Sequence, residues 1–362
     1  MNFVAFRPTQ CRSGDEPLAA EVLSRDHRSL SKGLRVLGVH SAFYLGTMAG
    51  ALAPLPVALN IFFGVANGVF IALLFIIGHD AAHGSFVPGR SLNRFIARIA
   101  FVPCVHAASL WRVVHNELHH GRTNLKGVDG VWAPMSIEEY RSASLLRRWV
   151  ERVYRGPAGP LIYYYLEFWI HRVLIPIAPE ARKHWKRHLP DSAFALAGFC
   201  FTLGCIGLTA KAFVPDRPLW LVLLVGWVLP FAVWNYLMAF TTYLNHTHPL
   251  IPWFQDETSW SLQRGVLTDT ASVRMPINVA PLYTKVMAHT VHHLQPRVPV
   301  YALLDVQAQL KNSYRGLLEY TLAFGEYRAI YKTCKLFDFQ AMCWTDFDGI
   351  PTAWPLRDDL PG

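Results

Sequence analysis

From Val36 to His79 the chain carries no Asp, Glu, Lys or Arg, and only Pro54 and Pro56 interrupt the stretch near its middle. A helix needs about 20 apolar residues to cross a bilayer, so this stretch predicts two spans joined by the uncharged turn from Ala51 to Pro56. A second pair follows. Ser192 to Ala210 is uncharged, Lys211, Asp216 and Arg217 mark a short loop, and Pro218 to Gln255 is uncharged again. Apolar runs of this length admit few architectures, because in lipid every backbone polar group must be satisfied within its own segment. The expected fold is an all-α integral membrane protein with four transmembrane helices in two hairpins.

Basic residues orient it. Arg7, Arg12, Arg25, Arg28, Lys32 and Arg35 precede the first span, and Arg90, Arg94, Arg98, Arg112, Arg122, Lys126, Arg147, Arg148 and Arg152 lie between the hairpins, whereas the hairpin tips are nearly bare of Lys and Arg. The positive-inside rule then places the N-terminus, the middle loop and the C-terminal tail in the cytoplasm. The expected layout is a cytoplasmic segment 1–34, a hairpin 35–78, a cytoplasmic cap 79–191, a hairpin 192–245 and a cytoplasmic region 246–362. The formal net charge of +9 belongs mostly to these flanks. Attraction to anionic lipid headgroups accounts for it, and no separable basic module points to nucleic acid.

The middle loop is too long for a simple connection and should fold into helices of its own. Leu161–Ala178 is aromatic-rich, but Glu167, His171 and Arg172 in its middle make a bilayer crossing costly, so an interfacial helix is expected. Six scattered cysteines contain no Cys-x-x-Cys pair, which suggests neither a disulfide framework nor a cysteine zinc site. Cys200 and Cys205 fall in a span and read as packing residues. The aromatic-rich stretch after about Leu310 is expected to be ordered and to pack under the metal site or against the cap.

Three histidine clusters sit just outside the apolar runs: His79 and His83; His115, His119 and His120; His289, His292 and His293. In each, helical backbone would put the imidazoles on one side, since residues three or four apart are surface neighbours. With the predicted topology all three fall on one side of the membrane. Eight imidazoles exceed what one zinc ion takes, so two metals fit better, and imidazole alone suits zinc, copper, iron or nickel. His40, His106, His171, His184 and His188 read instead as hydrogen-bonded packing residues.

The order and spacing of these clusters between two hydrophobic hairpins resemble the three histidine boxes of the membrane-bound fatty acid desaturases. Thr242-Tyr243-Leu244-Asn245-His246-Thr247-His248-Pro249 is similar to a stretch of the Δ12/ω-6 branch. The resemblance implies an oxygen-dependent di-iron enzyme that inserts a double bond into an acyl chain, with its centre held in the cytoplasmic helical cap. It implies as ligands His79, His83, His115, His119, His120, His289, His292 and His293, with a ninth from just after the last span, His246, or in reserve His248. Asp80, Asn116, Glu117 and Asn245 are candidates to orient those rings, and Phe75, Trp111 and Trp234 to line an acyl tunnel. Since no nucleotide-binding glycine fingerprint or fused haem domain is present, electrons are expected from an external ferredoxin or cytochrome b5-type donor. The acyl chain could arrive on coenzyme A, acyl carrier protein or a phospholipid. Related hydroxylases and acetylenases use similar boxes, and a histidine-rich metal transporter or haem-binding membrane protein is the alternative from another class.

Overall fold

A computed structural model describes residues 21–356 apart from 177–178, 264–268, 279 and 314–316. Helix α1 (Leu30–Leu52) is capped by Ser29, whose side chain accepts from the Lys32 backbone N–H. It ends before Pro54 and Pro56, whose rings cannot continue a helix. Helix α2 (Val57–His83) starts directly after Pro56 and stops at Gly84, which adopts the left-handed conformation at φ 76°. There the Gly84 and Ser85 N–H groups close back onto Ala81 and Asp80 carbonyls, so the first histidine cluster forms the last turn of α2.

Helix α3 (Arg90–Ala100) and a short helix Ala108–Trp111 follow, the latter running into a π-helical segment Arg112–His119. Later come the two long helices α4 (Trp185–Phe213) and α5 (Leu219–His246). Helices α2, α4 and α5 are long and apolar enough to cross a membrane.

Buried in the middle of this group, α2 carries its own polar fasteners. Asn67 donates to Tyr44 O and Thr47 Oγ1, and Asn60 donates to Gly50 O and Ala53 O, tying α2 to α1. Arg217, in the α4–α5 loop, donates to Asn60 Oδ1 at 2.5 Å and to Leu55 O, joining the two turns. Between α2 and α5 the fasteners are small residues. A Cβ on Gly64 would stand 2.6 Å from Val225 O, and one on Gly68 2.6 Å from Pro230 O. This small-xxx-small pair lets the two backbones touch, as in packed membrane helices.

Two expectations need correction. The chain is not all-α: Ser272–Arg274 pairs in parallel with Glu319–Thr321, and Leu336–Asp338 antiparallel with Cys343–Thr345. Each of these strands is three residues long, so the fold remains mostly helical with two small two-stranded additions. Cys200 and Cys205 do not pack; both thiols are free and exposed, because only 17% of the apolar window of α4 is buried and its outer face turns away from the protein.

The aromatic-rich middle segment forms a helix Gly159–Tyr163 that continues as a π-helix Tyr164–Leu174, with Glu167 ion-paired to Arg147 at 3.1 Å. The C-terminal region packs as expected: Tyr320 OH donates to Leu244 O, and the fully buried Trp344 donates to Ile251 O.

Candidate metal centre

All eight box histidines and His246 come together, and they sort into two groups whose potential ligand atoms lie within 4.8 Å of one another. His79, His83, His115, His120 and His292 form the first; His119, His246, His289 and His293 form the second. His246 is the last residue of α5. His248 joins neither group; it accepts from Leu250 N–H at 3.1 Å and stacks on Tyr320.

The groups do not follow the boxes. Arg112–His119 is π-helical, and the His120 N–H donates to His115 O five residues back. In that wider turn His115 and His120 point to the first group while His119 points to the second, so a one-sided α-helical arrangement does not hold here. Box 3 divides as well. In helix α6 (His289–Leu294), His289 and His293 share a face and His292 turns to the other group.

Neighbours fix several rings. Asp80 Oδ1 accepts from His79 Nδ1 at 3.0 Å, and its Oδ2 accepts from Val300 N at 2.5 Å. Asp129 Oδ1 accepts from His119 Nδ1 at 2.9 Å. Thr123 donates its hydroxyl to His119 O and therefore accepts from His293 Nδ1 at 3.2 Å. A carboxylate has no proton to give, so His79 and His119 each spend their N–H there and leave Nε2 with a lone pair.

Asp129 and Thr123 were not among the sequence candidates, although both follow box 2 within a dozen residues and the Asp129 loop is bracketed by Gly127 and Gly130. That loop is held by Tyr163, whose hydroxyl accepts from Trp132 N and donates to Gly130 O. Of the earlier candidates only Asp80 touches a ring. Asn116 donates to Ala82 O, Asn245 to Ala271 O, and Glu117 is exposed.

The arrangement suits metal. His115 Nε2 lies 2.7 Å from His79 Nε2 and 3.1 Å from His120 Nε2; His289 Nε2 lies 2.8 Å from His246 Nε2 and 3.1 Å from His293 Nε2. One proton cannot serve three converging nitrogens, whereas a cation can. His83 Nε2 and both nitrogens of His292 are buried without hydrogen-bond partners among the described residues, a cost that metal binding would remove. Burial, reinforced by neighbouring imidazoles, pushes His115, His120, His289 and His293 well below the ordinary histidine pKa. His292 is lowered likewise by burial. All are thus in the neutral, metal-binding form. Beside the first group Trp111 stacks on His115 at 4.7 Å, and Phe75 bridges Trp111 and Trp234 at 5.0 and 5.7 Å.

Membrane-length helices that supply His79, His83 and His246, joined by six imidazoles from the shorter segments around His115–His120 and His289–His293, make the scaffold of a metalloenzyme. The chain belongs to the fatty acid desaturase family, whose sequence profile matches residues 56–324. It is an oxidoreductase acting on fatty acyl chains. It is 28% identical over 309 residues to an sn-1 oleoyl-lipid 12-desaturase of Synechocystis sp., covering 84% of this chain and 82% of that protein. It is 27% identical over 332 residues to a chloroplastic omega-6 fatty acid desaturase of Glycine max, covering 89% and 72%. An sn-1 acyl-lipid omega-3 desaturase (ferredoxin) of Synechocystis sp. is 29% identical over 255 residues, covering 69% and 66%.

Proposed function

We propose that the nine histidines hold two irons, one per group, with dioxygen as co-substrate, and that the substrate is the acyl chain of a membrane lipid. The observation that carries this reading is the pair of convergent imidazole sets, each closed by its own buried carboxylate behind one ring. When bound, the irons supply the oxidising power to take hydrogen from an unactivated methylene, which no side chain offers.

The protein's own part is orientation. Asp80, Asp129 and Thr123 fix three ring tautomers, and such partners behind a ligand raise its basicity and hold its plane. Phe75, Trp111 and Trp234 keep water from one side of the first group, where an acyl chain could lie among apolar rings. The lipid-linked substrate is supported by the names of the relatives, as is a separate ferredoxin-type donor, with a cytochrome b5-type protein as the other form it could take.

Helix α1 completes four spans in two hairpins, its 23 residues lying against α2. The distribution of Lys and Arg supports a cytoplasmic centre and termini. The corresponding layout is an N-terminal segment to residue 34, hairpins at 35–78 and 192–245, a cap at 79–191 and a C-terminal region from 246.

Elemental analysis of detergent-purified protein tests the centre, with a His119→Ala, His292→Ala double variant beside it. Iron in the wild type, lost from the variant, is the expected result; zinc alone, or no metal in a folded chain, overturns it. Mass spectrometry of the product separates desaturation, a loss of two hydrogens, from hydroxylation, a gain of one oxygen.

A further inference from the structure

A buried histidine beside the first group takes no part in it. His106 is 2% exposed, and its ring lies 5.2, 5.5 and 5.8 Å from those of Trp234, Phe75 and Trp111. Its Nδ1 is 2.7 Å from Cys104 O, which can only accept, so Nδ1 carries the proton. That leaves Nε2 to accept the Tyr164 O–H, also at 2.7 Å. The phenol and imidazole planes are within 10° of parallel. Burial holds His106 down to about 3, so it is a neutral base.

The residue before it is under strain. Val105 adopts φ 54°, a region β-branched residues avoid, and such strain persists where the surrounding fold over-determines it. Here it carries the chain into His106 directly after the Cys104 carbonyl that fixes the ring. A route to the metal centre is present too. Trp111 stacks on His115 at 4.7 Å and 21°, so the path from a first-group imidazole to the Tyr164 hydroxyl consists of two ring contacts and one hydrogen bond.

We propose that Tyr164, paired with His106, is a one-electron reservoir for the centre, used when the oxidant formed from dioxygen there finds no acyl chain to attack. The phenol O–H bond breaks, the proton goes to His106 Nε2, and the electron passes through Trp111 to the centre. Tyr164 is oxidised to a neutral phenoxyl, the centre is reduced by one electron, and no atom leaves the protein. The external donor later returns the electron to Tyr164 and supplies the second electron that the oxidant still requires, and His106 returns the proton. The imidazolium is held by its Nδ1–H bond to the Cys104 carbonyl against the burial that disfavours its charge, which drives the proton back once the phenoxyl is reduced. Without His106 the phenol would have to lose its electron as a buried, unpaired cation, which the apolar interior disfavours. The proposal rests on the two-iron reading above.

The test uses the full chain in detergent, iron-loaded, reduced, exposed to dioxygen without acyl substrate and frozen for electron paramagnetic resonance. Iron content and desaturation are measured on the same preparation. The expected result is an organic radical whose spectrum narrows with ring-deuterated tyrosine, shows coupling to 15N-labelled histidine, and is lost in a Tyr164→Phe variant that keeps its iron. Added substrate should suppress it. An active, iron-bearing wild type without the radical, or a radical unchanged by Tyr164→Phe or by tyrosine deuteration, overturns the proposal alone. Absence of iron overturns the two-iron reading and this proposal with it. Should the variant fail to hold iron, the isotope-labelled wild type decides.

Discussion

Asp129 Oδ1 accepts the Nδ1 proton of His119 at 2.9 Å while its other oxygen accepts the Asn124 backbone N–H. One carboxylate thereby ties a ring of the second group to the loop that follows box 2. Asp129→Asn keeps the shape but removes the charge behind His119. Metal affinity at the second group should fall about 10- to 100-fold, the range for partners of this kind. Metal retained against a graded chelator measures it, and retention equal to wild type would contradict the role.

Asp80→Asn should act on the first group instead. It also weakens the bond to Val300 N that links α2 to the chain beyond box 3. The thermal midpoint should drop, as it should for Asp129→Asn, whose carboxylate accepts the Asn124 and Val131 backbone N–H groups, since a bond to a charged group contributes about 1.5–3 kcal/mol. A wild-type midpoint in Asp80→Asn would argue against that link.

Acid should loosen the metal-free protein. His115, His120, His289, His292 and His293 are held below the ordinary value mainly by burial, whereas unfolded they titrate near about 6.5. Above that pH both states are neutral and their contribution is fully present. Below it only the unfolded chain gains protons, so stability is lost at up to about 1.4 kcal/mol per pH unit for each histidine. Melting of the metal-free chain from about pH 7 to 5 checks the sign; a midpoint rising with acid would refute it.

Gly68→Val should cost about 1–3 kcal/mol, the usual range for overpacking, because the new Cβ meets Pro230 O and the Val233 side chain. Gly38→Val, where nothing lies within 4 Å of the Cβ position, is the control. The difference between their unfolding midpoints in detergent is the readout.

Arg217→Ala strips Asn60 Oδ1 of its partner in a buried position. An unsatisfied buried acceptor costs about 1–3 kcal/mol. Loss of midpoint with metal content unchanged is expected, since the turn lies at the far end of α2 from His79 and His83. Metal loss in this variant would show that the two ends are coupled.

The apolar runs made the long helices legible, because membrane solvation leaves little choice of conformation, and Pro54 and Pro56 marked the break between the first two, whereas the stop at Gly84 was not read. The gathering of the histidines, His246 included, was legible as well. Its division was not. Whether His119 shares a face with His115 depends on a π-helical turn, and that is set by packing around Arg112–His119 rather than by spacing. Asp129 was missed for a related reason: the loop from Asn124, at φ 61°, folds back by tertiary contacts with Tyr163 and the backbone around Phe254. Glu117 and Asn116, nearer in sequence, face elsewhere.

The division of boxes 2 and 3 between the groups also bears on the order in which the protein is made. By the time residue 246 has left the ribosome, the first group lacks only His292, while the second has only His119 and His246. One short helix, His289–Leu294, then delivers the missing rings to both. Neither histidine group can be completed before that segment docks, so a chain truncated ahead of it would carry all three of the membrane-length helices among the described residues and no finished group.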